Sequence, residues 1–207
     1  PKTAWPSDLV MSVCKRGEKI IMPRNVHRSS INALIVCGAV PVYVDPGLNT
    51  QLGIPLGMSV KDVEKAIKEN PDAKAVLINN PTYYGVCSDL KAIVELAHEH
   101  NMLALVDEAH GTHFYFGEDM PISAMAAGAD MAAVSMHKTG GSLTQSSILL
   151  CGPHINGDYV RQVINLTQTT SGSYLLISSL DIARKNLALN GREIFRKTVQ
   201  FAEYARN

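Results

Sequence analysis

Several short segments of this 207-residue chain carry side chains able to do acid–base or covalent chemistry, and each directly follows an apolar run. They are Pro23-Arg24-Asn25-Val26-His27, Asn79-Asn80-Pro81-Thr82-Tyr83-Tyr84-Gly85, Asp107-Glu108-Ala109-His110 and Ser135-Met136-His137-Lys138. Lys138 stands between Ser135-Met136-His137 and Thr139-Gly140-Gly141. That position would set its amine at the floor of a crevice, where desolvation lowers a lysine's pKa and makes it a nucleophile toward carbonyls. Asp107 ends the run Leu103–Val106, one crossover and one strand earlier. A carboxylate there can keep a pyridine nitrogen protonated. The two residues therefore match what pyridoxal phosphate requires, one group to hold the aldehyde and one to make the ring an electron sink. His27, His110 and His137 would converge on the same edge.

Simpler roles compete with this reading. A lysine after a strand is commonly solvated, and an aspartate at a strand end commonly caps the next helix; the chemical reading rests on finding both together. His110 and His113 are spaced as HxxH, but no third ligand falls at a convincing spacing for zinc, so no metal site is expected. Asp107-Glu108-Ala109-His110 also spells the acidic motif of DEAH helicases, yet the chain has no GxxxxGK[ST] phosphate loop. His98 and His100, at a charged helix end, read as solvated.

The elements that must position these groups follow from the apolar pattern. Runs short enough to be buried strands recur at Lys19–Met22, Val40–Val44, Ala75–Ile78, Leu103–Val106, Met131–Ser135 and Ile148–Cys151. Helix-like stretches separate most of them. Ser59 with Asp62 forms a capping box ahead of Val63, Ala66 and Ile67; Ser88 is expected to open a helix carrying Leu90, Ile93, Val94 and Ala97 on one face. Gly17 and Gly38 stand where helix C-caps would be. The stretch Asp45–Gly57 reads as a long irregular connection, of a kind that is often functional. After Cys151 the pattern is helical, with a long stretch from Tyr174 to Leu189. The alternation implies an α/β fold of three layers with a mostly parallel central sheet, because parallel neighbours need crossover connections. In such sheets ligands bind beyond the carboxyl ends of the strands, where the segments above lie.

Composition narrows the function class. Hydrophobic residues make up 46% and charged residues 18%, enough for one domain with a sizeable core. Lys plus Arg equals Asp plus Glu at 19 each, which leaves no basic excess for a phosphate backbone, and nucleic acid is not an expected partner. No apolar stretch is long enough to span a bilayer and no secretory leader pattern opens the chain, so a cytoplasmic protein without a membrane partner is expected. Cys14, Cys37, Cys87 and Cys151 form no CxxC pair and read as buried small hydrophobes.

The segments Pro23-Arg24-Asn25-Val26-His27-Arg28-Ser29, Val106-Asp107-Glu108-Ala109-His110, Ser135-Met136-His137-Lys138 and Ser171-Gly172-Ser173-Tyr174 occur in that order. From about Met11 to Asn207 the chain resembles the major domain of the Orn/Lys/Arg decarboxylase family, which are fold-type I, aspartate-aminotransferase-like enzymes using pyridoxal phosphate. The resemblance implies decarboxylation of arginine, lysine or ornithine to the amine and carbon dioxide. It implies that Lys138 holds the cofactor aldehyde, that Asp107 pairs with the pyridinium nitrogen, and that His27 and Ala109 cover the two ring faces. Ser135 and His137 would bind the phosphate and His110 would complete the cofactor contacts. Thr169-Thr170-Ser171, with Thr170 at its centre, would reach the cofactor of a neighbouring subunit in a homodimer or larger assembly. His27, in a polar turn, is expected to matter for turnover and hardly for folding.

The chain also departs from that pattern. Before the Met11-Ser12-Val13-Cys14 helix the family has a first strand and a Gly-Thr-Ser/Thr type phosphate loop; here stands Pro1-Lys2-Thr3-Ala4-Trp5-Pro6-Ser7-Asp8-Leu9. Residues 1–10 therefore read as an atypical N-terminal segment and residues 11–207 as a partial major domain, sheet to about 151 and then mainly helical, incomplete at the N-terminus. The expectation is a piece of a longer enzyme that alone binds cofactor weakly and leaves Ile148–Cys151 as a sheet edge. Another fold-type I enzyme, an aminotransferase or lyase, and a non-catalytic remnant are the alternatives.

Overall fold

The apolar runs become the strands of one sheet in the computed structural model, which describes residues 6–207. In chain order the elements are α1 (Pro6–Val13), β1 (Lys19–Pro23), α2 (Arg28–Cys37), β2 (Val40–Val44), β3 (Leu48–Asn49), β4 (Ile54–Pro55), α3 (Val60–Glu69), β5 (Ala75–Asn79), α4 (Leu90–Glu99), β6 (Leu103–Asp107), a 3-10 turn (Thr112–Tyr115), β7 (Met131–Val134), α5 (Met136–Thr139), β8 (Ile148–Cys151), α6 (Gly157–Thr167) and α7 (Tyr174–Arg206). The six-stranded sheet has the order β2-β1-β5-β6-β7-β8. Its pairs are parallel except β7 with β8.

Both faces of the sheet are covered, which is why its central strands are almost unbroken apolar runs. Alternate residues go to opposite layers. Ile21, Val76, Ile78, Ala104, Val106, Ala132 and Val134 pack with Val63 and Ile67 of α3 and with Leu90, Ile93, Val94 and Ala97 of α4. Ile20, Met22, Ala75, Leu77, Leu105, Met131 and Ala133 pack with Leu9 and Val10 of α1, Ala33 and Leu34 of α2 and Val160 of α6. The result is the expected three-layer α/β/α architecture.

Local signals hold in part. The Ser59 hydroxyl accepts from the Asp62 amide (3.1 Å), and Gly38 closes α2 at φ 75° with its amide on the Leu34 carbonyl. The N-cap of α4 is Asp89, accepting from the Ala92 amide, whereas the Ser88 amide is spent on Asn80 Oδ1 (2.8 Å). Gly17 has φ 83° but sits in a turn beyond α1, its amide on the Gly38 carbonyl. The connection 45–57 holds the antiparallel pair β3–β4, whose turn is tied by Asn49 Oδ1 accepting from the Gln51 and Leu52 amides. α1 begins at Pro6, ahead of Met11, and buries Leu9 and Val10 completely; residues 1–5 of the atypical segment lie outside the described residues. α7 continues past Leu189 to Arg206. β8 is a sheet edge among the described residues, as expected. Of the cysteines only Cys14 is a buried hydrophobe, its thiol pushed up to about 12 by burial; Cys151, ending the edge strand, is exposed. No described helix is long and apolar enough to cross a membrane.

His98 is not simply solvated. Asp130, 1% exposed just before β7, accepts from the Ala104 amide (2.6 Å), from His98 Nε2 (3.0 Å) and from His154 Nε2 (2.5 Å). One carboxylate thus ties the end of α4, the start of β6 and the β8–α6 connection together, at the rim of the sheet opposite the carboxyl ends. Asp130→Ala strands the buried Ala104 amide and should lower unfolding free energy by about 2–3 kcal/mol, measured by urea denaturation. A change under 0.5 kcal/mol would refute that role.

Candidate active site

Parallel strands end at a common rim, and the segments leaving β1, β5, β6 and β7 meet there. Register sets Asn79, Asp107 and Ala133 side by side on adjacent strands. A cavity at this rim is lined by Pro6, Asn25, His27, Asn79, Tyr83, Asp107, Ala109, His110, Ser135 and Lys138. His27, Asp107, Ala109, His110, Ser135 and Lys138 are brought together as the sequence suggests. Asn25, Asn79 and Tyr83 were missed, although they stand in the same post-strand segments. The Asn79 side-chain amide donates to the Asn25 carbonyl and that of Asn25 to the Leu56 carbonyl, both at 3.4 Å.

Asp107 forms the buried floor, 5% exposed. Its Oδ1 accepts from the Ala109 amide (3.2 Å), and among the described residues Oδ2 receives no hydrogen bond. Burial raises its pKa, opposed by that amide and by the positive charges of Lys138 and His27. Lys138 lines the cavity and is exposed. Partial desolvation lowers its pKa while Asp107 acts the other way. Its Nζ lies 3.1 Å from His110 Nε2. An ammonium has only protons to give, so His110 Nε2 is the acceptor there. Burial, then Lys138 and His27, lower the pKa of His110.

His27 does two things. It is the N-cap of α2, with the Ser29 amide and hydroxyl converging on its Nδ1 at 3.2 and 2.8 Å. In the neutral ring the proton is then on Nε2. The expectation that His27 hardly matters for folding therefore needs correcting. His137 does not line the cavity; its Nδ1 donates to the Ser146 carbonyl (2.9 Å), which leaves a neutral ring only a lone pair at Nε2. Thr170 is exposed in the α6–α7 connection and is not among the residues that line the cavity.

Glu108 has no signal in the sequence beyond its place beside Asp107, yet it is fully buried on the other side of the turn. Oε1 accepts from the Ala124 amide (2.8 Å) and Oε2 from the Tyr115 hydroxyl (2.5 Å). Burial outweighs both bonds and raises its pKa to about 7.

The sequence from residue 6 to 207 matches the family model described as Orn/Lys/Arg decarboxylase, major domain. The chain belongs to this family. It is 50% identical over 200 residues to the arginine decarboxylase of Bacillus subtilis, covering 96% of this chain and 41% of that protein. It thus spans about two-fifths of that relative's length. The structure of lysine decarboxylase A from Pseudomonas aeruginosa superposes with a TM-score of 0.85 at 22% identity, over 95% of this chain and 29% of that one. An aspartate aminotransferase from Thermus thermophilus superposes at 0.64 with 20% identity, over 97% and 53%. The fold is the fold-type I large domain.

Two outcomes follow from this geometry. His27→Ala should cost about 1 kcal/mol of stability through the lost cap, and His27→Asn, which can still cap, much less; equal thermal midpoints for both variants would refute the capping role. Glu108 holds its proton in the folded state up to about 7 but loses it near 4.5 when unfolded. The unfolded chain therefore releases its proton first, and stability falls as pH rises through that window, by about 3 kcal/mol from this group. Glu108→Gln should flatten that slope in denaturation curves at pH 4.5, 6 and 7.5.

Proposed function

We propose that the cavity binds pyridoxal phosphate and that the enzyme to which this chain contributes decarboxylates a basic amino acid, with arginine as the preferred substrate. The observation that carries the reading is the buried Asp107 carboxylate facing the same small space as the Lys138 amine. Burial raises the pKa of Asp107; the protonated ring nitrogen of a bound cofactor would favour its ionised form, so the donor set fits this cofactor. The Ala109 methyl and the His27 imidazole suit the two faces of a flat ring. The Ser135 hydroxyl, which lines the cavity together with Pro6 of α1, suits a phosphate. Since His137 is turned to the Ser146 carbonyl, we assign it to bracing α5 rather than to the phosphate. Arginine is favoured because relatives 50% identical over nearly the whole chain are arginine decarboxylases.

Pyridoxal phosphate, when bound, withdraws electrons from the α-carbon of the substrate so that its carboxylate can leave as carbon dioxide. The chain's own task is to position groups and move protons. Lys138, with its lowered pKa, presents a nucleophilic Nζ to the aldehyde. Asp107 would pair with the cofactor's ring nitrogen and favour its protonated form. Lys138 Nζ and His110 Nε2, 3.1 Å apart, share the proton that returns to the α-carbon. Thr170, exposed between α6 and α7, fits a contact across a subunit boundary in a homodimer or larger assembly.

The full enzyme should bind pyridoxal phosphate with a visible absorbance band and release carbon dioxide and the amine from arginine. Borohydride reduction should fix the cofactor to the peptide containing Lys138, and Lys138→Ala should abolish both fixation and turnover. Label on another lysine would refute the site, and a keto acid in place of carbon dioxide would refute the reaction.

A further inference from the structure

Lys138 is carried by a helix too short to hold itself. α5 is a single turn, Met136–Thr139, and the Ser135 side chain makes no capping bond to it. One turn of helix is not stable alone in water, so the place of the lysine depends on what α5 is tied to. On one side the ring and the amide of His137 both donate to the Ser146 carbonyl, at 2.9 and 3.2 Å. On the other the Ser135 carbonyl, at the head of α5, accepts from two donors, the Lys138 amide (3.2 Å) and the Thr112 hydroxyl (3.1 Å).

Thr112 is fully buried and is not among the residues that line the cavity. It stands two residues beyond His110 in the turn that leaves β6. That turn is closely packed: the Gly111 amide donates to the Glu108 carbonyl (2.9 Å), and a Cβ at Gly111 would fall 2.5 Å from Glu108 Cγ. A group bonded to Thr112 is therefore fixed relative to His110. Across the gap Gly140, just after α5, leaves room for the Thr112 methyl, since a Cβ there would lie 3.0 Å from it. One buried carbonyl thus joins the segment that carries His110 to the segment that carries Lys138. The chemistry assigned above uses the 3.1 Å between His110 Nε2 and Lys138 Nζ, and gives Thr112 no part.

We propose that Thr112 is a positioning residue whose hydroxyl, through the Ser135 carbonyl, holds the Lys138 amine within proton-transfer distance of the His110 ring. The inference rests on the decarboxylase reading above and deepens it, because proton transfer between two side chains requires their separation to be held at hydrogen-bond length.

The full enzyme tests this in two states. Thr112→Val keeps the shape and removes the hydroxyl; Thr112→Ser keeps the hydroxyl. With pyridoxal phosphate bound, Thr112→Val should lower kcat for carbon dioxide release about tenfold, the order expected when a reacting group is slightly misplaced, with KM for arginine within about twofold and Thr112→Ser close to wild type. Without cofactor, labelling by acetic anhydride, followed peptide by peptide, reads the pH midpoint at which Lys138 becomes reactive. Partial burial holds that midpoint below the ordinary lysine value, against the pull of Asp107; Asp107, His27 and His110 are the titratable groups that share its cavity. Loosening α5 exposes the amine, so the midpoint should move up in Thr112→Val and stay in place in Thr112→Ser. Gly140→Ala, which crowds Thr112 from the end of α5, should produce both changes with the hydroxyl intact and serves if Thr112→Val does not fold. An unchanged kcat or midpoint in the folded variants, or a Thr112→Ser enzyme as impaired as Thr112→Val, would overturn the positioning role and leave the decarboxylase reading intact. A wild-type enzyme that releases no carbon dioxide would overturn that reading, and the labelling midpoints alone would then decide for or against Thr112.

Discussion

Asp107 ends β6, an interior strand of the mostly parallel sheet, 5% exposed and with one backbone amide as its hydrogen-bond donor among the described residues. Removing a carboxylate from water without full pairing is unfavourable. The protein tolerates it because β5 and β7 satisfy the backbone of β6 on both sides, and because the chain leaving each neighbouring strand delivers a polar or cationic group to the same rim. The compensation is incomplete, since the remaining deficit lies at Oδ2, where no described donor reaches. Lys138, His27, Ala109 and Ser135 line the cavity around that carboxylate.

The turn that follows β6 divides its residues between two tasks. Asp107 and Ala109 face the cavity, and His110 meets Lys138. Glu108, between them, goes the other way and binds the Tyr115 hydroxyl and the Ala124 amide. The acid that faces the cavity is left electrostatically unsatisfied; the acid behind it is fully bonded and holds the turn in place. Stability and chemistry are separated only in part on a larger scale. Asp130 joins α4, β6 and the β8–α6 connection at the far rim of the sheet, whereas His27 combines a helix cap with a place in the cavity wall.

The kinds of element, and the arrival of Asp107 and Lys138 at one cavity, could be read from the chain alone. Strand and helix periods are local, and the residue after a buried parallel strand is carried to the ligand rim whatever the rest of the molecule does. Folding had to decide the direction in which each of the other side chains turned. His137 stands one residue from Lys138 yet points at the Ser146 carbonyl, and His27 bonds back to Ser29 as a helix cap. His98 finds a buried carboxylate 32 residues away, and His113 is enclosed by Phe114 and by Phe195 of the last helix. Such outcomes depend on rotamers and on partners distant in the chain, and no periodicity encodes them. The Thr112 hydroxyl meets the Ser135 carbonyl only because the segments leaving two neighbouring strands come to lie together.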